Sequence, residues 1–310
     1  MTDTATTNLH PRSARQLLQL LSSIRFDEVL VLQGTPVMGA ILALGALTVH
    51  DCIRATIFCA GSLCLVGHVF VMNDWAGIDG DLNDPTRSAQ TFASKGVSRT
   101  AVGLLAIVLL SLTLLFFSLL GPVSLSLAIA ILGLSTLYSA PSIHMKGRPV
   151  LGSGLHLVGG TLHFTLGYAT FSAVDTRSIV TGCFFGLIFA AGHLMHETRG
   201  YEGDRLNGIR TNAVAFGRAR SFIAGIVLFA AAYALLIALA LFGLLPRMLV
   251  LTSVLFPVHV YASVRAVRAG LSFESLLEYQ RCYRLLYALI GTMLVGSVLF
   301  DRASHINLIG

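Results

Sequence analysis

The sequence predicts an all-α integral membrane protein, with nine transmembrane helices arranged around a central cavity and a polar cap on the cytoplasmic side. Three observations predict it. Hydrophobic residues make up 55% of the 310 and charged residues only 12%, against roughly 25% charged in a soluble domain. Nine apolar runs approach the ~20 residues that cross a bilayer as a helix; they cover about 29–49, 53–73, 99–120, 122–138, 150–172, 178–196, 219–243, 245–267 and 282–301. Lysine and arginine collect on alternate connections, 17 of 21 on the side of the N-terminus and only Arg54, Arg177, Arg247 and Arg302 on the other. Cytoplasmic loops gather such charges, so the N-terminus faces the cytoplasm and the expected location is the cytoplasmic membrane. Topology accounts for the +6 net charge without a nucleic-acid partner.

In chain order, residues 1–24 are a polar and then weakly amphipathic cytoplasmic tail or surface helix. They lack the compact design of a cleaved signal peptide. Residues 25–301 form the membrane domain, and 302–310 a C-terminal tail. The first run holds Gly34, Pro36, Gly39 and Gly45, which permit close helix contacts or a kink. The third and fourth runs are Leu-, Ser- and Ala-rich scaffold. Cys52, Cys59, Cys64, Cys183 and Cys282 form no C-x-x-C pair and read as small core residues. Nothing in the sequence sets the oligomeric state.

The chemistry concentrates at two places. Asn73 to Arg87 reads NDWAGIDGDLNDPTR and follows the second run with Asp74, Asp79, Asp81 and Asp84. Carboxylates crowded at the end of a span repel one another and call for a cation. Glu197 to Arg210 reads ETRGYEGDRLNGIR after the sixth run. Glu197 and Asp204 are seven apart, as are Asp74 and Asp81, so each pair can share one helix face. Both stretches fall on the cytoplasmic side, near Arg87, Lys95, Lys146 and Arg148. Acids of this kind suit Mg2+, a hard ion commonly bound by one or two carboxylates plus substrate phosphates. The neighbouring cations make sense if a diphosphate lies between, and an apolar cavity below would hold its hydrocarbon tail.

These residues resemble the UbiA superfamily of intramembrane prenyltransferases. Asn73, Asp74 and Asp81 match its N-D-x-x-D-x-x-x-D signature. Gly203, Asp204 and Arg205 match the end of the second, K-D-x-x-D-x-x-G-D-R, with Glu197 in place of an Asp. Gly208 to Gly217 is similar to the segment that follows, and Tyr138, Pro141 and Lys146 resemble the family's Y-S-x-P-P-x-R-x-K loop. The likeness covers residues 25 to 301. Two departures stand out, Gly77 and Gly200, each in place of a central Asp. Asp79 and Glu202 supply the missing oxygens if the helices end there and unwind; otherwise water fills those positions.

The resemblance implies a prenyltransferase. Asn73, Asp74, Asp81, Glu197 and Asp204 hold Mg2+, with Asp79 and Glu202 as alternatives; Asp74, Asp81, Asp204 and Lys146 are catalytic. Arg87, Lys95, Lys146, Arg148 and Tyr138 bind the diphosphate. Ionisation leaves an allylic cation, for which Trp75, Phe164, Tyr168, Phe184 and Phe185 are candidate stabilisers. An aromatic or other lipophilic acceptor then attacks and loses a proton to a carboxylate, the diphosphate or a histidine. His68, His156, His163 and His193 are candidates for the acceptor pocket, against the plainer role of bonding to a neighbouring helix. Two other classes fit parts of the pattern. A terpene cyclase on the same scaffold would turn the cation on its own chain, and a transporter would use the intramembrane acids as an ion path.

Overall fold

In a computed structural model the described residues are 11–45 and 48–307, with side chains described for 16–45 and 48–300. Residues 1–10 and 308–310, and the side chain of Arg302, lie outside them. The described residues are helical, with no strand among them. In order they form α1 (Pro11–Leu21), α2 (Phe26–Leu32), α3 (Gly34–Ala43), α4 (Val49–Asn83), α5 (Arg99–Leu120), α6 (Pro122–Ser139) and α7 (Leu151–Ala169). There follow α8 (Thr176–Arg199), α9 (Tyr201–Leu206), α10 (Asn212–Phe216), α11 (Arg218–Leu241), α12 (Leu255–Arg268) and α13 (Phe273–Asn307). A 3-10 segment, Arg247–Val254, leads into α12.

Among the described residues each of the nine apolar runs contains helix, yet seven helices are long and apolar enough to cross a membrane. The count becomes eight if the bent pair of the first run, broken by 41° before Gly34, is one span. Helix α7 misses on composition, because Gly152, Gly154, Gly159, Gly160, His156 and His163 dilute its apolar surface. Gly160, and Gly167 further along the helix, serve packing. A β-carbon on Gly167 would overlap the Pro36 carbonyl of α3, and one on Gly160 would lie 2.8 Å from the Phe189 ring of α8. Helices that touch backbone to backbone gain dispersion contacts that lipid does not offer.

Local signals set the ends of the two helices that carry the acids. Thr48 and Asp51 form a capping box that starts α4, and Asp175 and Ser178 form one that starts α8. At 35 residues, α4 is about 50 Å long, well beyond a hydrocarbon core of ~30 Å. Its final turns therefore project past the membrane with the acidic motif on them. The helix does not unwind at Gly77. By contrast α8 does stop at Gly200, and the chain re-enters helix at Tyr201.

The largest core cluster joins α3, α7, α8, α11 and α13 around Phe164, Phe184, Tyr233, Leu236 and Leu294. A separate one joins α2, α4 and α5. Large side chains on outer faces, such as Leu104, Ile107, Leu119 and Ile223, are more than half exposed, as a lipid-facing surface requires. The cysteines differ from the core role expected of them. Cys52 and Cys59 are exposed and the other three half-buried, because in a bilayer an apolar outer face is as good a place for a small apolar residue as the interior.

Candidate active site

The ends of α4, α6, α8 and α9 meet at one end of the bundle, here called the rim. Asn207, after α9, donates from Nδ2 to the carbonyls of Gly80 at 3.0 Å and Gly203 at 2.9 Å, tying the tip of α4 to α9. Asp84 is buried; its Oδ1 accepts from Thr86 N and Thr86 Oγ1, both at 2.8 Å, and its Oδ2 lies against Gly203. Of the acids expected at the site, Asp74, Asp81 and Asp204 come here with cations beside them. Arg87 Nη1 lies 3.3 Å from Asp81 Oδ1 and its Nε 3.6 Å from Asp84 Oδ2. Lys146 Nζ lies 3.9 Å from Asp204 Oδ1, and Arg25 Nη1 3.5 Å from Asp74 Oδ1. Arg87 is also an electrostatic neighbour of both Asp74 and Asp204, so the two motifs share one field.

Charge states follow from this packing. Burial pushes the Asp204 carboxyl above its ordinary pKa, with Lys146 and Arg87 opposing the shift. Burial works against the Arg87 charge, but Asp81, Asp204 and Asp84 together hold its pKa above the usual value. Space for Arg87 comes from Gly200, where a β-carbon would lie 3.4 Å from Arg87 Nη2 and 3.7 Å from Asp204 Oδ2.

Other expected residues are distributed unevenly. Asp79 is exposed and pairs with Arg99 at 3.3 Å, and Glu202 is exposed and pairs with Arg218 at 3.6 Å. Neither fills the gap left by Gly77 or Gly200: the unbroken α4 turns Asp79 outward, and Glu202 faces Arg218 although α8 ends at Gly200. Glu197 is turned inward: its Oε2 accepts from Asn212 N at 3.1 Å and Asn212 Nδ2 at 2.8 Å. Lys95 and Arg148 are exposed. Asn73 accepts from Ser139 Oγ at 3.3 Å. Trp75 sits outside the aromatic wall, under the Arg99 guanidinium and against Gly103. Phe164, Phe184, Phe185 and Tyr168 do form a continuous wall, with Phe164 and Phe185 stacked at 5.0 Å.

The four histidines separate. His68 donates from Nδ1 to Ala106 O at 2.9 Å, the plain helix-bonding role. His163 packs beside Phe189 between α7 and α8. His156 and His193 stack at 3.8 Å, with Tyr138 edge-on to both. His193 Nε2 is 3.0 Å from Glu197 Oε1, close enough for a charge contact but angled away from a hydrogen bond. Tyr138 has Glu197, Asp204 and Arg87 as charged neighbours, so this aromatic group adjoins the rim.

Sequence reasoning missed three groups: Arg25, Asn207 and Asn212. Asn212 also donates to Ser153 Oγ at 3.1 Å and accepts from Val150 N at 2.8 Å. Its place in Gly208 to Gly217, next to the second acidic motif, was the available signal. Val150 adopts φ 68°, ψ −46°, a strained γ-turn closed by Leu151 N to Pro149 O at 2.8 Å. Asn212 thus fixes the loop that carries Lys146.

Among the described residues no three His, Cys, Asp or Glu side chains converge as a ready metal site. The donor set nevertheless fits Mg2+. It consists of hard carboxylate oxygens from Asp74, Asp81 and Asp204 plus an amide oxygen, and these acids already hold cations, Arg25 at Asp74 and Arg87 at Asp81 and Asp204.

Residues 34–271 match the UbiA prenyltransferase family. The chloroplastic chlorophyll synthase of Avena sativa is 29% identical over 162 residues, 50% of this chain; the match spans only 42% of that protein's length. A UbiA homolog from Archaeoglobus fulgidus bound to GPP and Mg2+ has a TM-score of 0.70 at 17% identity, covering 90% of this chain and 99% of the other. A structure of digeranylgeranylglyceryl phosphate synthase gives 0.69 at 15%, covering 91% and 98%. At these identities the structural likeness is one of fold.

Proposed function

Because the chain belongs to the UbiA prenyltransferase family, we propose that it transfers a prenyl group from an isoprenoid diphosphate to an aromatic or other lipophilic acceptor, using Mg2+. The observation that carries this reading is the meeting of the α4 tip with α9, which brings Asp81 and Asp204 to Arg87, with Asp74 in its field and Lys146 beside Asp204. The binding of GPP and Mg2+ by a protein of the same fold supports it.

Asp74, Asp81 and Asp204, with Asn73, would hold Mg2+, which when bound would supply Lewis-acid charge to the leaving diphosphate. Arg87 and Lys146 take diphosphate oxygens, with Lys95, Arg148 and Tyr138 at the edge of the site. As the C–O bond breaks, its electron pair leaves with the diphosphate, and fixed positive charge lowers that barrier. The allylic cation left behind is stabilised by the faces of Phe164, Phe184, Phe185 and Tyr168. The acceptor enters beside Tyr138, His156 and His193, forms the new C–C or C–O bond with its own electron pair, and passes its proton to His193 Nε2. In this reading the rim faces the cytoplasm and nine helices surround the tail cavity.

The test is an assay in detergent with prenyl diphosphates of increasing length and a panel of phenols, quinolones and lipid alcohols. Product mass and diphosphate release are the readouts. Absence of diphosphate release with every donor would sink the reading, while terpene hydrocarbon or alcohol formed without acceptor would replace it with a cyclase.

A further inference from the structure

At the opposite end of the bundle, the far face, the structure holds an open pocket of about 540 Å³, apart from the acidic rim. Its walls are Leu42 at the end of α3, Arg177 in the first turn of α8, the Gly243 to Arg247 connection and Val298 of α13. The volume falls in the range of small-ligand sites, about 300–1,000 Å³.

Two features make it more than a gap. The far face holds only four of the chain's 21 Lys and Arg, and Arg177 and Arg247 both line this one cavity. Second, Arg177 Nε is shielded from solvent and has no hydrogen-bond partner. Among the described residues neither arginine has a carboxylate within 4.0 Å. The nearby acid, Asp175, is turned to Ser178 N at 2.7 Å and to the Tyr168 hydroxyl at 3.3 Å. Arg54 on the same face shows the ordinary solution, donating from Nε to Thr170 O at 3.0 Å. A buried N–H without an acceptor is expensive, and a guanidinium in that position is completed by an anionic oxygen, which its fork binds in two places.

We propose that this cavity binds the phosphate headgroup of an anionic phospholipid, with Arg177 and Arg247 on the phosphate and an acyl chain along Leu42 and Val298. The wall is preformed. Gly243 takes a left-handed turn (φ 73°), and Leu244 N and Leu245 N both return to Leu239 O, at 2.9 and 3.1 Å. Lipid is favoured over a free anion because Leu42 and Val298 line the pocket beside the two arginines, at the end of an apolar bundle. A zwitterionic headgroup carries the same phosphate but adds an ammonium that two arginines repel.

The experiment is native mass spectrometry of the full chain in detergent with equimolar phosphatidylglycerol and phosphatidylcholine. The wild-type chain should retain phosphatidylglycerol about tenfold better. The R177Q/R247Q double variant should bring that ratio to within about twofold, and R247Q alone, at an exposed position, to about threefold. Arg54→Gln should leave it unchanged. A wild-type ratio near one, or a ratio unaffected by R247Q and the double variant, overturns the proposal. Displacement of phosphatidylglycerol by millimolar inorganic phosphate also overturns it, in favour of a free-anion site.

Discussion

Asp84 rests its carboxylate on the bare α-carbon of Gly203, so the tip of α4 and the start of the second acidic motif touch with no side chain between them. A residue that composition alone would assign to a solvated loop is buried, and it is the hinge of the site. The bond from Asn207 to Gly80 O runs parallel to this contact. Together they bring Asp81 and Asp204 to the two sides of Arg87.

Gly203→Ala should therefore separate the motifs. Its β-carbon would overlap Asp84 Oδ2 and lie 2.8 Å from Asp84 Cγ, and relief by backbone movement costs about 1–3 kcal/mol. The expected outcome is a loss of about tenfold in divalent-ion affinity, read by Mn2+ electron paramagnetic resonance. Wild-type Mn2+ binding in this variant would mean that the contact does not hold the rim together.

Arg87 stands among Asp81, Asp84 and Asp204, so its removal unbalances the free site and takes a donor from the diphosphate. Arg87→Gln should lower kcat/KM by about 10²–10³, the loss typical of one electrostatic donor. Arg87→Lys should recover only part, since a point charge cannot bridge two carboxylates as the planar fork does. Steady-state kinetics with each variant checks this.

The raised Asp204 pKa carries a sign that can be tested without turnover. The folded chain keeps the Asp204 proton at pH values where the unfolded chain has released it, so ionisation weakens the fold as pH rises through that window. Asp204→Asn should raise the melting temperature of the metal-free protein at pH 7, and the gain should fade in acid, where the wild type is neutral too. Affinity for Mg2+ should move the other way and fall with pH as Asp204 takes up its proton. A melting difference independent of pH would remove burial as the cause of the shift.

The acidic motifs and the helical runs were legible because spacing and hydropathy are local. A seven-residue interval at a helix end puts Asp74 and Asp81 on one face of α4, whereas Glu197, at the same interval from Asp204, is turned to Asn212. What sequence could not show depended on facing. Gly77 permits an unwound helix, but α4 continues through it, and Asp79 consequently faces Arg99. Hydropathy does not separate lipid-facing from core positions, which is why Cys52 and Cys59 are exposed. It also underrates α7, where Gly160 meets α8 and Gly167 meets α3. Asn207 and Asn212 carry no charge, and although Asn212 lies in the segment after the second motif, only the tertiary fold reveals what the two hold.

The contact between α3 and α7 makes a prediction about folding alone. Gly167→Ala would place a methyl group on the Pro36 carbonyl, and Gly39 faces Phe164 O from the other helix at the same crossing. Neither backbone can retreat like a flexible side chain, so the cost should reach the upper end of the 1–3 kcal/mol seen for overpacked cores, or exceed it. Gly154→Ala is the control, with nothing within 4 Å of its β-carbon. Melting in detergent should fall sharply for the first and little for the second.

Val150 gives the opposite case, a residue whose replacement by glycine should do no harm to stability. Its positive φ is costly for a β-branched side chain, about 1–3 kcal/mol, and the side chain is 63% exposed, so little packing is lost. The strained turn is held by Val150 N donating to Asn212 Oδ1, and Asn212 is held in turn by Glu197. Val150→Gly should leave the melting temperature unchanged or raise it, because glycine adopts this φ freely. Asn212→Ala releases the turn and strands the buried Glu197 carboxylate, a loss of about 1–3 kcal/mol. If the turn positions Lys146 through this clamp, Asn212→Ala should also raise KM for the prenyl diphosphate, and Val150→Gly on its own should not. An unchanged KM in Asn212→Ala, together with a lowered melting temperature, would reduce the clamp to a purely structural part of the fold.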